Sequence, residues 1–221
     1  MHIRRLDLEC RRDVRQFIRF PFWLYRGDPR WVPPLQSSSR FDLDRSHHPT
    51  YRHCEADAFV AEEGRRTLGR ILVFANRHYM EHTGIRCAFF GAFECVDDVR
   101  AACALFDAAC DWARARGLPE LCGPRDLIGA TAAGFLVDGF EYLPAVGVPY
   151  NKPYYDGLIK AAGFEKDSDS LSGWVRGDHA LSPRLLTVAE WVRARNGLTI
   201  KSFSSRREMR AWIPRVARVY N

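Results

Sequence analysis

Lysine is scarce in this chain. Four occur (Lys152, Lys160, Lys166 and Lys201) among 33 basic residues, which leaves 29 arginines. So lopsided a choice reads as a coding preference rather than a binding surface. The net charge is +6 at pH 7, yet no basic block exists, and arginines are interleaved with acids in "RRDVR" and "CDWARAR". A nucleic-acid footprint needs basic residues gathered on one face, so no nucleic-acid partner is expected. Long apolar runs are missing too. No stretch of about 18 apolar residues is present, which excludes a membrane-spanning helix. Residues 1–10 alternate charge and lack the apolar core of a signal peptide, so the expected location is cytoplasmic. Paired cysteine motifs are also absent. The seven cysteines form no C-x-x-C and no zinc-ribbon spacing, and read as buried free thiols in a reducing compartment.

What is present is globular: 47% hydrophobic and 13% aromatic over 221 residues, enough to bury a sizeable core. Ile3 to Leu8 alternates as a strand. Arg11 to Tyr25 carries a helical stripe (Val14, Phe17, Ile18, Leu24), expected to be interrupted near Pro21. A turn-rich stretch follows, in which Arg26-Gly27-Asp28 before Pro29 is a turn rather than an adhesion signal. Two apolar runs around Glu62-Glu63-Gly64 predict a hairpin. "RCAFFGAFECV" is apolar on both faces and predicts a central strand. Asp98 to Arg116 is the clearest helix, with Val99, Ala102, Phe106, Ala109 and Ala113 at helical spacing. Asp97 is expected to cap it, and Gly117 with Pro119 to stop it. "LPELCGP" predicts a short strand, and a Gly-rich connection follows. A helix over Tyr154–Ala162 is closed by Gly163, with Phe164 packing back. "SLSGWVRGD" and "LTIKSF" read as strands around a helix from Ser182-Pro183 to Asn196-Gly197. The order implies an α/β (α+β) fold around one sheet.

The final residues echo the first. Ser205 to Glu208 is a capping box opening an amphipathic helix. Its "RREMRAWIPRVARVY" runs parallel to "RRDVRQFIRFPFWLY", and Ile200–Phe203 echoes Ile3–Leu6. The expected organisation is a first domain over 1–197 and the first strand and helix of a second, truncated copy over 198–221.

Several stretches together resemble the GNAT acyltransferase superfamily, and within it a bacterial branch of tandem domains. They are "FPFWLYRGDPRWVPPL", "FFGAFECVDDVRAACALFDAACDWARARGL", "LCGPRD", "GFLVDGF" and "YNKPYYDGLIKAAGFEK", spanning most of 20–166. The resemblance implies a mixed, mostly antiparallel central sheet flanked by helices. It also implies acetyl-CoA or a longer acyl-CoA as co-substrate, a small-molecule or peptide amine as acceptor, and no metal. The partner would be a second GNAT-like domain in cis or a homodimer mate. The family holds the co-substrate's diphosphate on a Gly-rich loop at a helix start. Here that position reads Glu94-Cys95-Val96-Asp97-Asp98, with no glycine and three carboxylates. The tyrosine usual four residues before the Gly-Phe pair is replaced by Ile159. This half is therefore expected to be weak or inactive alone.

The resemblance makes Glu94 a candidate general base, with a surface or helix-capping carboxylate as the alternative, and Tyr155 a candidate catalytic acid. Tyr150, Asn151 and Tyr154 are candidates to line the co-substrate cleft, with core packing and helix capping as the alternative. Arg125 is a candidate anion partner. Two further readings stay open: a non-catalytic, GNAT-shaped binding or structural half-domain, and a zinc metallohydrolase. The second rests on His78-Tyr79-Met80-Glu81-His82, the H-x-x-E-H pattern of inverzincins. Zinc ligation needs both histidines on a stable helix plus a third ligand. Residues 76–82 offer two turns at most, so coincidence is the expected explanation. The histidines of "SHHPTYRHCE" show no ligand spacing and are expected to be solvated.

Overall fold

A computed structural model describes residues 1–127, 133–173, 182–195 and 201–220. The chain divides into two compact units, Met1–Ser172 and Gly173–Asn221.

The first unit is built on a five-stranded sheet in the order β1 (His2–Arg5), β2 (Cys54–Glu63), β3 (Arg66–Asn76), β4 (Cys87–Cys95), β5 (Glu120–Cys122). The first four strands run antiparallel, and β5 joins β4 in parallel. This is a mixed, mostly antiparallel sheet flanked by helices, the fold class expected from the sequence. The β2–β3 hairpin turns at Gly64, whose φ of +60° suits glycine.

Each face of the sheet has its own core. On one face β3 and β4 contribute Ile71, Val73, Phe90, Phe93 and Cys95 against α4 (Val99–Arg114) and α5 (Tyr155–Ala161). On the other, Leu72, Phe74, Cys87 and Phe89 meet α1 (Arg11–Leu24). The period-2 alternation of β3 thus serves two cores at once, which explains why "ILVF" carries no polar residue. Phe164 packs back on Phe90 and Phe106, with centroids 5.4 and 4.8 Å apart, after Gly163 at φ +84° has closed α5.

Three local expectations are corrected. Helix α1 is not interrupted at Pro21, which lies buried inside it. Proline removes one backbone donor, and the carbonyl left over is satisfied from outside the helix, as described below. Asp98 rather than Asp97 caps α4, its carboxylate accepting the Arg100 and Ala101 N–H groups, because Asp98 holds the extended conformation that an N-cap requires. His48 is not solvated: it is 6% exposed, and its ring nitrogen caps the 3-10 turn Pro49–Arg52.

Two short helices complete the unit, α2 (Gln36–Asp42) and α3 (Arg77–Thr83). The second unit contains α6 (Pro183–Arg195) and α7 (Arg206–Tyr220). The capping box at the start of α7 is half formed: Ser205 Oγ accepts from Glu208 N, whereas the Glu208 carboxylate accepts from Ser204 N, one residue before the N-cap. Of the strands expected over 170–178 and 198–203, residues 174–178 and 198–200 lie outside the described residues.

Candidate active site

The site begins with a defect in β4. Arg70 pairs with Glu94 and Leu72 with Gly91, so Ala92 and Phe93 together oppose Ile71. This is a β-bulge, and Ala92 takes a φ of +47° there. The extra residue resets the alternation. Phe93 and Cys95 enter the α4 core, whereas Glu94 turns to the α1 face beside Arg70. In unbroken alternation from Phe90, Glu94 would point at α4 instead.

Pairing between β4 and β5 stops early. The last matched residues are Phe89 and Cys122, after which Arg125 N donates to Phe90 O at 2.8 Å. The chain then passes so close to Gly91 that an added Cβ would sit 2.0 Å from Arg125 O. Beyond that crossing the outer edge of β4 has no partner strand among the described residues, and two tyrosines of the α5 region take over its polar groups. Cys95 N donates to the Tyr155 hydroxyl (3.0 Å), and the Tyr154 hydroxyl donates to Cys95 O (2.8 Å). Tyr155 reaches through to the other face, where its hydroxyl donates to Glu94 Oε2 at 2.6 Å. Tyr25, just past the end of α1, donates to the same oxygen at 2.7 Å.

Charge around Glu94 is arranged in a second layer. Its cross-strand partner Arg70 is enclosed, with Nη1 donating to Phe17 O at 2.7 Å and the guanidinium 4.6 Å from the Phe17 ring. Its Nε is buried without a hydrogen-bond partner. Lys152 Nζ lies 5.1 Å from the Tyr25 ring and pairs with Asp28 at 2.8 Å. Asp28 also accepts from Tyr150 at 2.9 and 3.0 Å, and Trp31 stacks on Tyr25 at 5.0 Å. Burial pushes the Glu94 carboxyl above its usual range, against the opposing pull of Arg70, the two tyrosine hydroxyls and Lys152. Burial and the Glu94 charge raise both the Tyr25 and Tyr155 hydroxyls. Burial works against the Asp28 carboxyl, but hydrogen bonds from Lys152 and Tyr150 bring it below its usual value.

Of the residues singled out in the sequence, Glu94 and Tyr155 meet directly, and Tyr154 flanks them on the β4 edge. Tyr150 stands one step away, on Asp28. Asn151 is 4% exposed and clips the preceding loop, accepting from Leu136 N and donating to Leu136 O. Arg125 stays outside the cluster, its guanidinium 5.0 Å from the Phe89 ring and 5.7 Å from Tyr79. Sequence reasoning missed Tyr25, Arg70, Asp28 and Lys152. The readable signal for the first was "FPFWLYRGDP", where a proline-bearing helix ends on a tyrosine.

His78, Glu81 and His82 lie on α3, which the Asn76 side chain caps and Gly84 ends. His78 stacks flat on His53, centroids 4.4 Å apart. Among the described residues no three His, Cys, Asp or Glu side chains gather to hold a metal ion, and no helix is long and apolar enough to cross a membrane.

Comparison with known proteins adds two curated relatives. Protein YghO of Escherichia coli is 32% identical over 196 residues, 88% of this chain and 50% of its own length. The bacterial ceramide synthase of Caulobacter vibrioides is 32% identical over 158 residues, 71% of this chain and 41% of its own. The chain thus spans about half the length of the curated relatives it matches. Among solved structures, an aminoglycoside acetyltransferase from an uncultured soil metagenomic sample, in complex with sisomicin, superimposes with a TM-score of 0.48. It is 12% identical, covering 79% of this chain and 96% of that one. A ribosomal-protein-alanine N-acetyltransferase of Brucella melitensis gives 0.41 at 16% identity, over 81% and 100%. No protein-family model matches.

Proposed function

From a chain with the GNAT-like fold, we propose that the protein it contributes to is an acyl-CoA-dependent N-acyltransferase, with Glu94 the general base and Tyr155 its proton partner. The observation that carries the reading is the Glu94 carboxyl. It lies at the end of β4, bonded to two tyrosine hydroxyls, opposite the half-buried Arg70, and raised by burial. A carboxyl moved upward from its usual range is better matched to accept a proton from an amine. The amine nitrogen attacks the thioester carbonyl, a C–N bond forms and the C–S bond breaks. The proton that the amine gives up passes to Glu94 and then, through the Tyr155 hydroxyl, to the departing thiolate. The products are an amide and free CoA.

The donor substrate, acetyl-CoA or a longer acyl-CoA, fits this half only in part. The Arg100 and Ala101 N–H groups that would hold a diphosphate are engaged by the Asp98 carboxylate. The Cys95 N–H and C=O are engaged by the two tyrosines. Residues 1–197, as the first GNAT-like domain, are therefore weak alone. A second GNAT-like domain in cis, opened by residues 198–221, or a second copy of the chain, supplies the diphosphate seat. The doubled length of the curated relatives supports the first arrangement. One of them is named a ceramide synthase. A ceramide is the amide of a long-chain amino alcohol, so that amine is the first acceptor to try. The second reading, a non-catalytic half, is favoured by the same engaged groups on α4 and β4.

The test is CoA-thiol release by the full-length protein with acetyl- and long-chain acyl-CoA and a long-chain amino alcohol. Glu94→Gln should cost on the order of 10²–10⁴ in kcat. Unchanged turnover in that variant assigns the chemistry elsewhere and leaves this half a scaffold.

A further inference from the structure

Arg70 is hard to explain as a structural residue. It is half-buried between β3 and α1, yet its described contacts are one hydrogen bond to Phe17 O and one ring face, and its Nε has no partner. That Nε is cut off from solvent, and a donor so placed is ordinarily paired. Something other than packing keeps the charge here.

The geometry that holds it is specific. In a regular helix Phe17 O would accept from the N–H four residues on, but that residue is Pro21, which has none. Phe17 O therefore turns to Arg70 Nη1. The grip fixes the guanidinium on the α1 face, on the rung where Arg70 and Glu94 are register partners. Side chains on such a rung rise from Cβ atoms about 5 Å apart.

We propose that Arg70 is a positioning residue that keeps the Glu94 carboxyl ionised and ready to accept a proton, and that Pro21 frees the carbonyl that holds it in place. This rests on the reading of Glu94 as the base. The groups facing Glu94 are Arg70 from β3, Tyr25 beyond α1, Tyr155 and Tyr154 at the start of α5, and Lys152 before it. Of these, Arg70 and Lys152 are cations, and Lys152 is neutralised by Asp28 at 2.8 Å. Among the described residues, Arg70 alone brings an uncompensated positive charge to the carboxylate.

The experiment compares the wild-type full-length protein with Arg70→Met, Arg70→Lys and Pro21→Ala. The acid limb of kcat/KM against pH, read by CoA-thiol release, should move up by about one unit in Arg70→Met. The activity lost at neutral pH should return on the alkaline side. Arg70→Lys should restore the wild-type limb at least in part. Pro21→Ala, which returns an N–H to Phe17 O and loosens the grip, should shift the limb the same way by less. A loss equal at every pH, with the limb unmoved, would make Arg70 a structural residue and overturn the proposal. A second readout separates this from the base assignment. Carboxyl carbon NMR of glutamate-labelled protein, with Glu94 identified by its absence in Glu94→Gln, follows the carboxyl directly. An upward shift of its titration in Arg70→Met upholds the role of Arg70 even if Glu94→Gln stays active. An unmoved titration refutes it even if Glu94 proves to be the base.

Discussion

Removing the Tyr155 hydroxyl takes away a single oxygen and, with it, two hydrogen bonds of different kinds. In Tyr155→Phe the ring keeps its packing on Phe93 (5.5 Å), Phe135 (5.9 Å) and Tyr154 (5.3 Å), so no large cavity opens. The Cys95 N–H, however, loses its acceptor on a β4 edge that has no partner strand among the described residues. A buried donor left unsatisfied costs about 1–3 kcal/mol, and a hydrogen bond to a charged group contributes about 1.5–3 kcal/mol. The two overlap, because the phenyl ring also relieves the desolvation of the hydroxyl, so a total near 2–4 kcal/mol is expected. At about 2–4 °C per kcal/mol for a domain of this size, thermal unfolding should fall by roughly 5–15 °C.

The pH dependence has a definite sign. The folded Glu94 carboxyl is raised above its unfolded value. Its contribution to stability is complete below the unfolded value of 4.5 and declines as pH rises through the folded one. The Tyr155 hydrogen bond opposes that rise, so its removal lifts the folded value further. The stability gap between wild type and Tyr155→Phe should therefore widen from pH 5 to pH 9, measured by chemical denaturation. Activity adds a second discrimination. If Tyr155 relays the proton, turnover falls at every pH; if it only holds Glu94, turnover returns at high pH. A melting temperature within about 1 °C of wild type and an unchanged pH profile would refute both roles and the geometry behind them.

Asp57 is 4% exposed and accepts from Trp112 Nε1 (2.6 Å), Arg5 (2.9 Å) and Arg45 (2.8 Å). Burial opposes its charge, but these donors bring its carboxyl below the unfolded value of 3.8, so its stabilisation is present above that value and lost as pH falls through the folded one. Asp57→Asn should cost about 2–4 kcal/mol at neutral pH, below the usual range for a buried pair because Arg5 is 62% exposed, and the gap should close in acid denaturation. Gly91→Ala would set a methyl 2.0 Å from Arg125 O; the crossing must shift, and the first unit should lose upwards of about 2 kcal/mol in urea unfolding, whereas Gly64→Ala, which meets no neighbour but holds a φ of +60°, should lose only the left-handed strain of about 1–2 kcal/mol.

Much of the fold was legible because it follows from period alone. The hairpin at Glu62-Glu63-Gly64, the apolar β4 and the amphipathic α4 are each dictated by spacing and turn chemistry, and each formed where expected. The candidate site was legible only where a residue type is rare in its surroundings: Glu94 ends a phenylalanine-rich strand, and Tyr154-Tyr155 opens a helix. Arg70 was invisible among 29 arginines, since nothing in its neighbourhood distinguishes a half-buried guanidinium from an exposed one. Asp28 was read as turn chemistry, which it is: Asp28 N closes the turn on Tyr25 O. That its carboxylate also anchors Tyr150 and Lys152 depends on a contact across 124 residues, which no local pattern encodes.

The chemistry of the site comes from interruptions in regular structure rather than from the regular elements. The bulge at Ala92 turns Glu94 to the α1 face, Pro21 leaves a carbonyl for Arg70, and the early end of β5 opens the edge that Tyr155 crosses. Each interruption costs stability by itself: a positive φ at a non-glycine residue, a proline inside a helix, a strand edge without a neighbour. Three such costs converging on one carboxylate are hard to attribute to packing, because an unbroken β4 and a leucine at position 70 would close the same core with less strain. The start of α4 points the other way, since Asp98 gives it a regular, self-sufficient cap where an anion seat would leave N–H groups free. On the proposed reading, the first unit holds the irregularity that proton transfer would use, while the described start of α4 leaves no free N–H group on Arg100 or Ala101 for a diphosphate. The proposed function, with the base in this half and the anion seat in another, would account for both.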